Sequence, residues 1–168
     1  NYRYPDFLPV REFYKRVREG SMPTTAQVNP EQARSFLEPY LKKGLDIVHI
    51  AFSSGLSGTY SSTNIAAEEL RELYPDRKIY VIDSLAASLG QGLLVHYAVE
   101  MKKAGKTASE TAEWVEEHKL NLVHLFTVDN LFHLHRGGRV SRTTAIVGSM
   151  LSIKPILHVD NEGHLIAT

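Results

Sequence analysis

The sequence predicts an α/β protein in which a parallel sheet has helices on both faces and is followed by the beginning of a second α/β lobe with an antiparallel hairpin. Two apolar runs rich in β-branched residues, 47–52 and 78–82, are typical of buried parallel strands. Each run is followed by small polar residues and then by apolar residues at helical spacing, an alternation that favours a parallel sheet. Short apolar runs on both sides of the turn-forming residues 160–163 predict the hairpin.

Two helices are predicted before the first strand. Residues 9–19 form an amphipathic helix with one apolar face, and Gly20 ends it. Residues 30–43 form a second helix, which is capped by Asn29 and ended by Gly44. The positions that we expect this helix to bury are Ala33, Phe36, Leu37, Tyr40 and Leu41.

The first predicted strand, residues 47–52, leads into a hydroxyl-rich loop and a helix that begins near Gly58. The second strand ends in the same way, with the polar residues Asp83 and Ser84. Two further helices complete the alternation, at residues 92–104 and at residues 108–118 with a cap near Thr107.

The pattern changes from residue 121 onward. We expect a strand at 122–128, a short helix at 129–135, a basic turn at 136–141, a helix at 143–151 and hairpin strands at 153–159 and 164–166. We therefore predict two domains, residues 1–120 as the first lobe and residues 121–168 as the start of a second lobe. The second lobe is expected to be incomplete, because two hairpin strands do not hold an independent fold.

Composition excludes several classes of function. The 19 Lys and Arg residues equal the 19 Asp and Glu residues, so no net charge attracts nucleic acid or an anionic membrane. The absence of cysteine excludes disulfides, thiol nucleophiles and thiolate metal sites, and it suits a cytoplasmic protein. The apolar runs are too short to span a bilayer, so we expect no membrane insertion. Because the first residue is Asn1, we expect a processed or partial chain.

The loop after the first strand is the strongest candidate for a ligand site. The hydroxyls of Ser53, Ser54, Ser57 and Thr59 edge a helix start, where unpaired N–H groups attract anions. Open α/β sheets bind ligands at this edge. The loop lacks the lysine of a nucleotide phosphate loop, and residues 55–59 depart from the G-x-S-x-G nucleophile motif. The alternative is that the hydroxyls only cap the helix.

Other polar residues have two interpretations each. His133 and His135 are close in sequence, but positions two apart point to different sides of a helix, so we expect no metal site. Asp83 is either a general base or ligand contact, or the cap of the turn that follows it. Arg139 either pairs with a carboxylate or phosphate, or is an exposed arginine of a turn.

Four segments, in order, resemble the motifs of the DegV family of bacterial fatty-acid-binding proteins. The family's Thr-Ser-Gln-Pro-Ser loop corresponds to residues 25–29, and its Ser-Ser-x-Leu-Ser-Gly-Thr-Tyr loop to residues 53–60. Its V-x-D-S/T-x-x-x-S-x-G motif corresponds to residues 81–90, and its Gly-Gly-Arg-Val/Ile motif to residues 137–140. The resemblance covers nearly all of the chain, which has no counterpart of the family's opening strand or of most of its second lobe.

The resemblance implies a two-lobed protein that holds one long-chain fatty acid, such as palmitate, with its carboxylate on hydroxyls and its tail in an apolar tunnel. By motif position, the carboxylate contacts are Thr25 and Ser57. Arg139 is a second-rank contact for the head group or for a phosphate donor. Supporting or second-rank positions are Ser53, Ser54, Thr59 and Asp83. Some members present the fatty acid to a separate kinase, which forms an acyl phosphate for phospholipid synthesis. A fatty acid kinase is therefore the implied partner, and the chain itself is expected to be no enzyme and to use no cofactor.

Two alternatives remain open. The chain is a serine acyl hydrolase if Ser57 is a nucleophile, which requires a histidine within reach of its hydroxyl. It is a truncated interaction module if its segments do not enclose a ligand.

Overall fold

A computed structural model describes residues 8–141 and 154–167 of the chain. These residues form an α/β protein with one parallel and one antiparallel sheet, which confirms the predicted fold class. The elements are α1 (Val10–Arg18), α2 (Pro30–Leu41), β1 (Ile47–Ala51), α3 (Thr59–Leu73), β2 (Ile79–Asp83), α4 (Ser88–Lys103), α5 (Ala108–His118), a 3-10 turn (Lys119–Asn121), β3 (Leu125–Thr127), α6 (Leu131–Arg136), β4 (Ile156–Val159) and β5 (Leu165–Ala167).

The parallel sheet is formed by β1 and β2, with Ile47 opposite Ile79. Neighbouring residues of a strand point to opposite faces, so each face has its own core. On one face, Ile79 packs in a cluster with residues of α2 and α3, namely Leu37, Leu41, Ala67 and Leu70. On the other face, Ile82 packs in a cluster with residues of α4 and α5, namely Leu94, Ala112 and Val115. Helices therefore cover both faces, as predicted.

The antiparallel sheet has the order β3-β4-β5. The predicted hairpin is present as β4 and β5, and β3 pairs with β4 so that Phe126 lies opposite Leu157. The fully buried Leu157 packs with Leu131 and Val140 in a third core cluster. The hairpin is thus joined by a third strand from earlier in the chain. The division into two domains at residue 121 stays a prediction.

Helix starts agree with the sequence where a capping motif is present. Asn29 accepts a hydrogen bond from the backbone N–H of Gln32, and Thr107 accepts one from Glu110, in two complete capping boxes. The predicted start of α4 at residue 92 is wrong, because the helix begins at Ser88. Its first turn is fixed by a tertiary contact, since Gln91 Nε2 donates to the Ile50 carbonyl at 3.0 Å.

Three of the predicted strands are too long, and one helix face is less buried than expected. The predicted strands at 47–52, 122–128 and 153–159 are shorter, and pairing with β4 limits β3 to three residues. In α2, Phe36 is 62% exposed and Tyr40 is 43% exposed, because the buried stripe is narrower than predicted. Helix α1 has no buried residue. The helix predicted at 143–151 lies outside the described residues.

None of the described helices combines the length and the apolar character needed to cross a membrane.

Candidate functional site

The hydroxyl-rich loop follows β1 at the carboxyl edge of the parallel sheet, where the sequence placed it. Ser53 is fully buried, and its carbonyl accepts hydrogen bonds from the backbone N–H groups of Leu56 and Ser57, both at 3.1 Å. The N–H of Ser53 donates to the Ala86 carbonyl at 3.0 Å. The loop is therefore anchored at Ser53 to the segment that follows β2.

Asp83, at the end of β2, organises the same edge. Its Oδ1 accepts hydrogen bonds from the backbone N–H groups of Ser54 and Leu85, both at 3.1 Å. The carboxylate thus caps the turn after β2 and ties it to the loop after β1, which agrees with the capping interpretation. Ser54 takes part through its backbone, and its side chain is exposed.

Two hydroxyls meet at the start of α3. Ser57 Oγ and Thr59 Oγ1 lie 2.9 Å apart, and Ser57 Oγ accepts a hydrogen bond from the Thr59 N–H at 3.2 Å. Thr59 Oγ1 accepts one from the backbone N–H of Val28 at 3.2 Å, which holds the loop of Thr25 beside the helix. Thr25 is exposed, and no described residue is hydrogen-bonded to its hydroxyl. The structure therefore brings three of the predicted hydroxyl residues, Thr25, Ser57 and Thr59, to the start of α3.

The first turn of α3 keeps unpaired donors. The Ser62 N–H donates to the Gly58 carbonyl, and the Thr59 N–H to Ser57 Oγ. Within the described ranges, the N–H groups of Tyr60 and Ser61 have no acceptor. Unpaired donors at a helix start favour an anion, because they add hydrogen bonds to the partial positive charge of the helix end.

A cavity of about 1130 Å³ adjoins these hydroxyls. Thr25, Ser57 and Thr59 line it, whereas Ser53, Ser54 and Asp83 do not. Its apolar wall includes Phe52, Leu56, Leu93, Leu122, Phe126 and Leu165. Arg136, Arg139, His124 and His133 also line it, and no described residue of its lining is Asp or Glu. The cavity is therefore apolar over much of its wall, and the charged groups among the described residues of its lining are the arginines Arg136 and Arg139.

Arg139 lies on the cavity but has protein partners. Its Nε donates to the Leu56 carbonyl at 3.0 Å, and its Nη1 donates to the Gly137 carbonyl. Arg139 thus links the turn after α6 to the hydroxyl-rich loop. The guanidinium has five N–H donors, so these two bonds leave others for a ligand.

His124 is a cavity residue that sequence reasoning missed. Its ring packs directly on Gly90 in the first turn of α4, where a Cβ would overlap the imidazole. Burial lowers the pKa of His124, because desolvation disfavours the charged imidazolium. The only signal in the sequence was Gly90, whose missing side chain makes room for a group that is distant in sequence.

The histidines considered for metal binding do not share a site. His133 Nδ1 lies 3.3 Å from the Arg136 guanidinium, and His135 Nδ1 lies 3.1 Å from the Val140 carbonyl oxygen. A different trio, Asp160, Glu162 and His164, has ligand atoms within 4.8 Å of one another. Asp160 Oδ1 already accepts hydrogen bonds from two backbone N–H groups, so this cluster serves the hairpin turn.

Comparison with known proteins identifies relatives of the whole chain. Residues 2–168 match the profile of a family described as "Uncharacterised protein, DegV family". A DegV domain-containing protein of Clostridium perfringens is 55% identical over 158 residues, which are 94% of this chain and 54% of that protein. A relative from Streptococcus pyogenes is 42% identical over 162 residues, which are 96% of this chain and 57% of that protein. The chain thus spans about half the length of these curated relatives.

Solved structures agree with the sequence matches. A Thermus thermophilus DegV family protein, described by its fatty acid binding, has a TM-score of 0.81 and 32% identity, covering 97% of this chain and 56% of its own. A DegV lipid-binding protein of Thermotoga maritima has a TM-score of 0.78 and 35% identity, covering 95% of this chain and 54% of its own. Sequence and structure together place the chain in the DegV family.

Proposed function

We propose that this chain binds a long-chain fatty acid such as palmitate, with the carboxylate at Thr25, Ser57 and the start of α3 and the tail along the apolar wall. The observation that carries the proposal is the cavity of about 1130 Å³, in which hydroxyls and arginines meet an apolar wall without a described carboxylate. Two relatives of known structure are described as fatty-acid-binding or lipid-binding proteins, which supports the same ligand class.

The tail supplies most of the affinity and the head group supplies the orientation. Burial of roughly ten methylenes contributes on the order of 8 kcal/mol at about 0.8 kcal/mol each. Hydrogen bonds to the charged carboxylate contribute only about 1.5–3 kcal/mol net, because the carboxylate loses hydrogen bonds to water when it binds. Association consumes part of this total. A ligand with a long apolar tail and one carboxylate therefore fits the cavity better than a small polar anion.

The hydroxyls have distinct roles in this proposal. Thr25 donates directly to the carboxylate, because its hydroxyl has no acceptor among the described residues. Ser57 donates to the carboxylate when its proton turns away from Thr59 Oγ1, and the Thr59 N–H continues to bond its oxygen. Thr59 holds the Thr25 loop through Val28. Ser53, Ser54 and Asp83 support the loop from outside the cavity.

Presentation of the bound fatty acid to a separate kinase is the second part of the proposal. Ser57 Oγ has no histidine partner within the described residues, so the hydroxyl is not activated as a nucleophile. A reaction at the carboxylate is therefore assigned to the partner, and the cationic residues of the lining, Arg136 and Arg139, suit its phosphorylated donor.

Native mass spectrometry of the purified chain, followed by denaturing extraction, tests the binding. We expect a stoichiometric long-chain fatty acid. Thr25→Val combined with Ser57→Ala is expected to lose it, whereas Ser21→Ala combined with Ser35→Ala removes two exposed hydroxyls outside the lining and is expected to keep it. Full lipid occupancy in the first double variant would refute the head-group assignment.

The two alternatives give different results. A serine acyl hydrolase is favoured only by the presence of His124 and His133 on the same cavity as Ser57. It predicts covalent labelling of Ser57 by a fluorophosphonate, and an unlabelled serine would count against it. A truncated module predicts a folded, lipid-free chain that gains lipid when the segments present in longer relatives are added.

A further inference from the structure

A buried contact joins the hydroxyl-rich loop to the hairpin turn between β4 and β5. Ser53 Oγ donates a hydrogen bond to the Gly163 carbonyl at 2.8 Å, across 110 positions of sequence. The same oxygen accepts a hydrogen bond from the Gly55 N–H at 3.2 Å. Ser53 is fully buried and Gly163 is buried as well, so water does not replace this bond.

The two backbones meet without room for a side chain. A Cβ at Gly55 would lie 2.8 Å from the Gly163 carbonyl oxygen. Gly163 has φ +83°, and a Cβ there would overlap Ser53 Oγ. Glycine at both positions is therefore a requirement of the contact. A Cβ at Gly55 would meet backbone atoms, which cannot yield, and a Cβ at Gly163 would displace the Ser53 Oγ that forms the hydrogen bond.

The hairpin turn presents Gly163 in a fixed position. Asp160 Oδ1 accepts hydrogen bonds from the N–H groups of Glu162 at 2.9 Å and His164 at 2.8 Å. The His164 N–H bond is the largest cause that lowers the pKa of Asp160. The Asp160 N–H donates to the His164 carbonyl at 3.0 Å. The turn is therefore braced by its own carboxylate.

The contact leads to the cavity through one residue. The Ser53 carbonyl bonds the N–H groups of Leu56 and Ser57, and these two residues line the cavity. A displacement of Ser53 therefore moves the hydroxyl of Ser57. Neither Ser53 nor Gly163 lines the cavity.

We propose that the hairpin turn is a positioning element of the fatty-acid site, which acts through Ser53 on the head-group hydroxyl of Ser57. This inference rests on the proposed function. It implies that ligand binding and docking of the turn on the loop stabilise each other, because coupling between two sites is reciprocal. Palmitate is then held more tightly when the turn is docked, and the turn is more protected when palmitate is bound.

A matched pair of glycine variants tests the positioning. Gly163 has φ +83° and Gly105 has φ +85°, so an alanine is equally strained at either position, but at Gly105 its Cβ meets no atom within 4 Å. We expect Gly163→Ala to weaken palmitate binding in a fluorescence titration by about 5- to 150-fold, the usual range of coupling between sites. Gly105→Ala is expected to bind as the wild type does.

Ser53→Ala keeps the test valid if Gly163→Ala does not fold. It removes the shared oxygen and is expected to weaken palmitate binding, whereas Thr111→Val removes a buried hydroxyl in α5, away from the cavity, and is expected to have no effect on it. In the Ser53→Ala background the overlap with Oγ is gone, and the nearest atoms to a Cβ at Gly163 are Leu85 Cδ2 at 3.2 Å and the Cβ of residue 53 at 3.3 Å. Addition of Gly163→Ala should then cause little further loss, because both changes break one contact.

Hydrogen exchange separates positioning from general destabilisation. Palmitate is expected to slow exchange of the amides of residues 161–164 in the wild type, and to leave them unchanged in Ser53→Ala. Equal palmitate affinities of Gly163→Ala, Gly105→Ala and the wild type would overturn the positioning inference alone. Failure of the wild-type chain to bind palmitate would overturn the proposed function, and the inference with it.

Discussion

Replacement of Gly90 by alanine tests the contact that places His124 on the cavity wall. A Cβ at Gly90 would overlap His124 Nδ1 and Cε1 of the imidazole. Gly92 lies two residues further along the same helix, and a Cβ there meets no atom within 4 Å. Gly90→Ala and Gly92→Ala therefore add the same methyl group to α4, but only the first forces the ring of His124 to move.

The expected difference between the two variants follows from two opposing effects. An alanine in place of a helical glycine stabilises the fold by about 0.5–1 kcal/mol, so Gly92→Ala is expected to raise the melting temperature by roughly 1–4 °C. Overpacking against a confined ring costs about 1–3 kcal/mol, which offsets this gain in Gly90→Ala. The two variants should therefore differ by about 1–3 kcal/mol, or roughly 2–12 °C in melting temperature.

Thermal unfolding by circular dichroism measures this difference, and a palmitate titration measures the effect on the cavity. The displaced ring of His124 is expected to weaken palmitate binding in Gly90→Ala, whereas Gly92→Ala is expected to retain wild-type affinity. Equal melting temperatures together with equal affinities would show that His124 has free space and does not shape the cavity.

Three further outcomes are expected. Burial lowers the pKa of His49 below 6.5, so on acidification the unfolded chain binds a proton at this histidine before the folded chain does. The unfolding free energy should therefore decrease as the pH is lowered from about 7.5 to about 5.5, and urea unfolding should show a smaller decrease in His49→Gln. Hydrogen bonds from Lys106 and from Thr107 lower the pKa of Glu110 to about 2, so Glu110→Gln should be less stable than wild type at neutral pH. The difference in unfolding free energy between the two proteins should disappear as the pH falls from 4.5 toward 2. Arg139→Lys and Arg139→Gln should weaken palmitate binding equally, because both lose the Nε bond to Leu56; full affinity in the lysine variant would show that charge alone matters.

Local patterns predicted the elements that depend on neighbouring residues. The capping boxes at Asn29 and Thr107 fixed two helix starts, since each cap bonds a residue only three positions away. The Asp-Asn-Glu-Gly stretch at 160–163 predicted the hairpin for the same reason. The start of α4 was missed, because Gln91 fixes its first turn by a bond to Ile50, 41 positions away.

The sequence by itself determined the α/β fold, the hairpin and the hydroxyl-rich loop after β1, and its four motifs identified the DegV family. Only the tertiary structure decided which polar groups face the cavity and which are already bonded within the protein. Ser53 and Ser57 are both serines of one loop, yet a carbonyl 110 residues away occupies the hydroxyl of Ser53, while Ser57 lines the cavity. The physical reason is range: periodicity, caps and turns act between neighbours along the chain, whereas the partner of a buried hydroxyl is chosen by packing between distant segments.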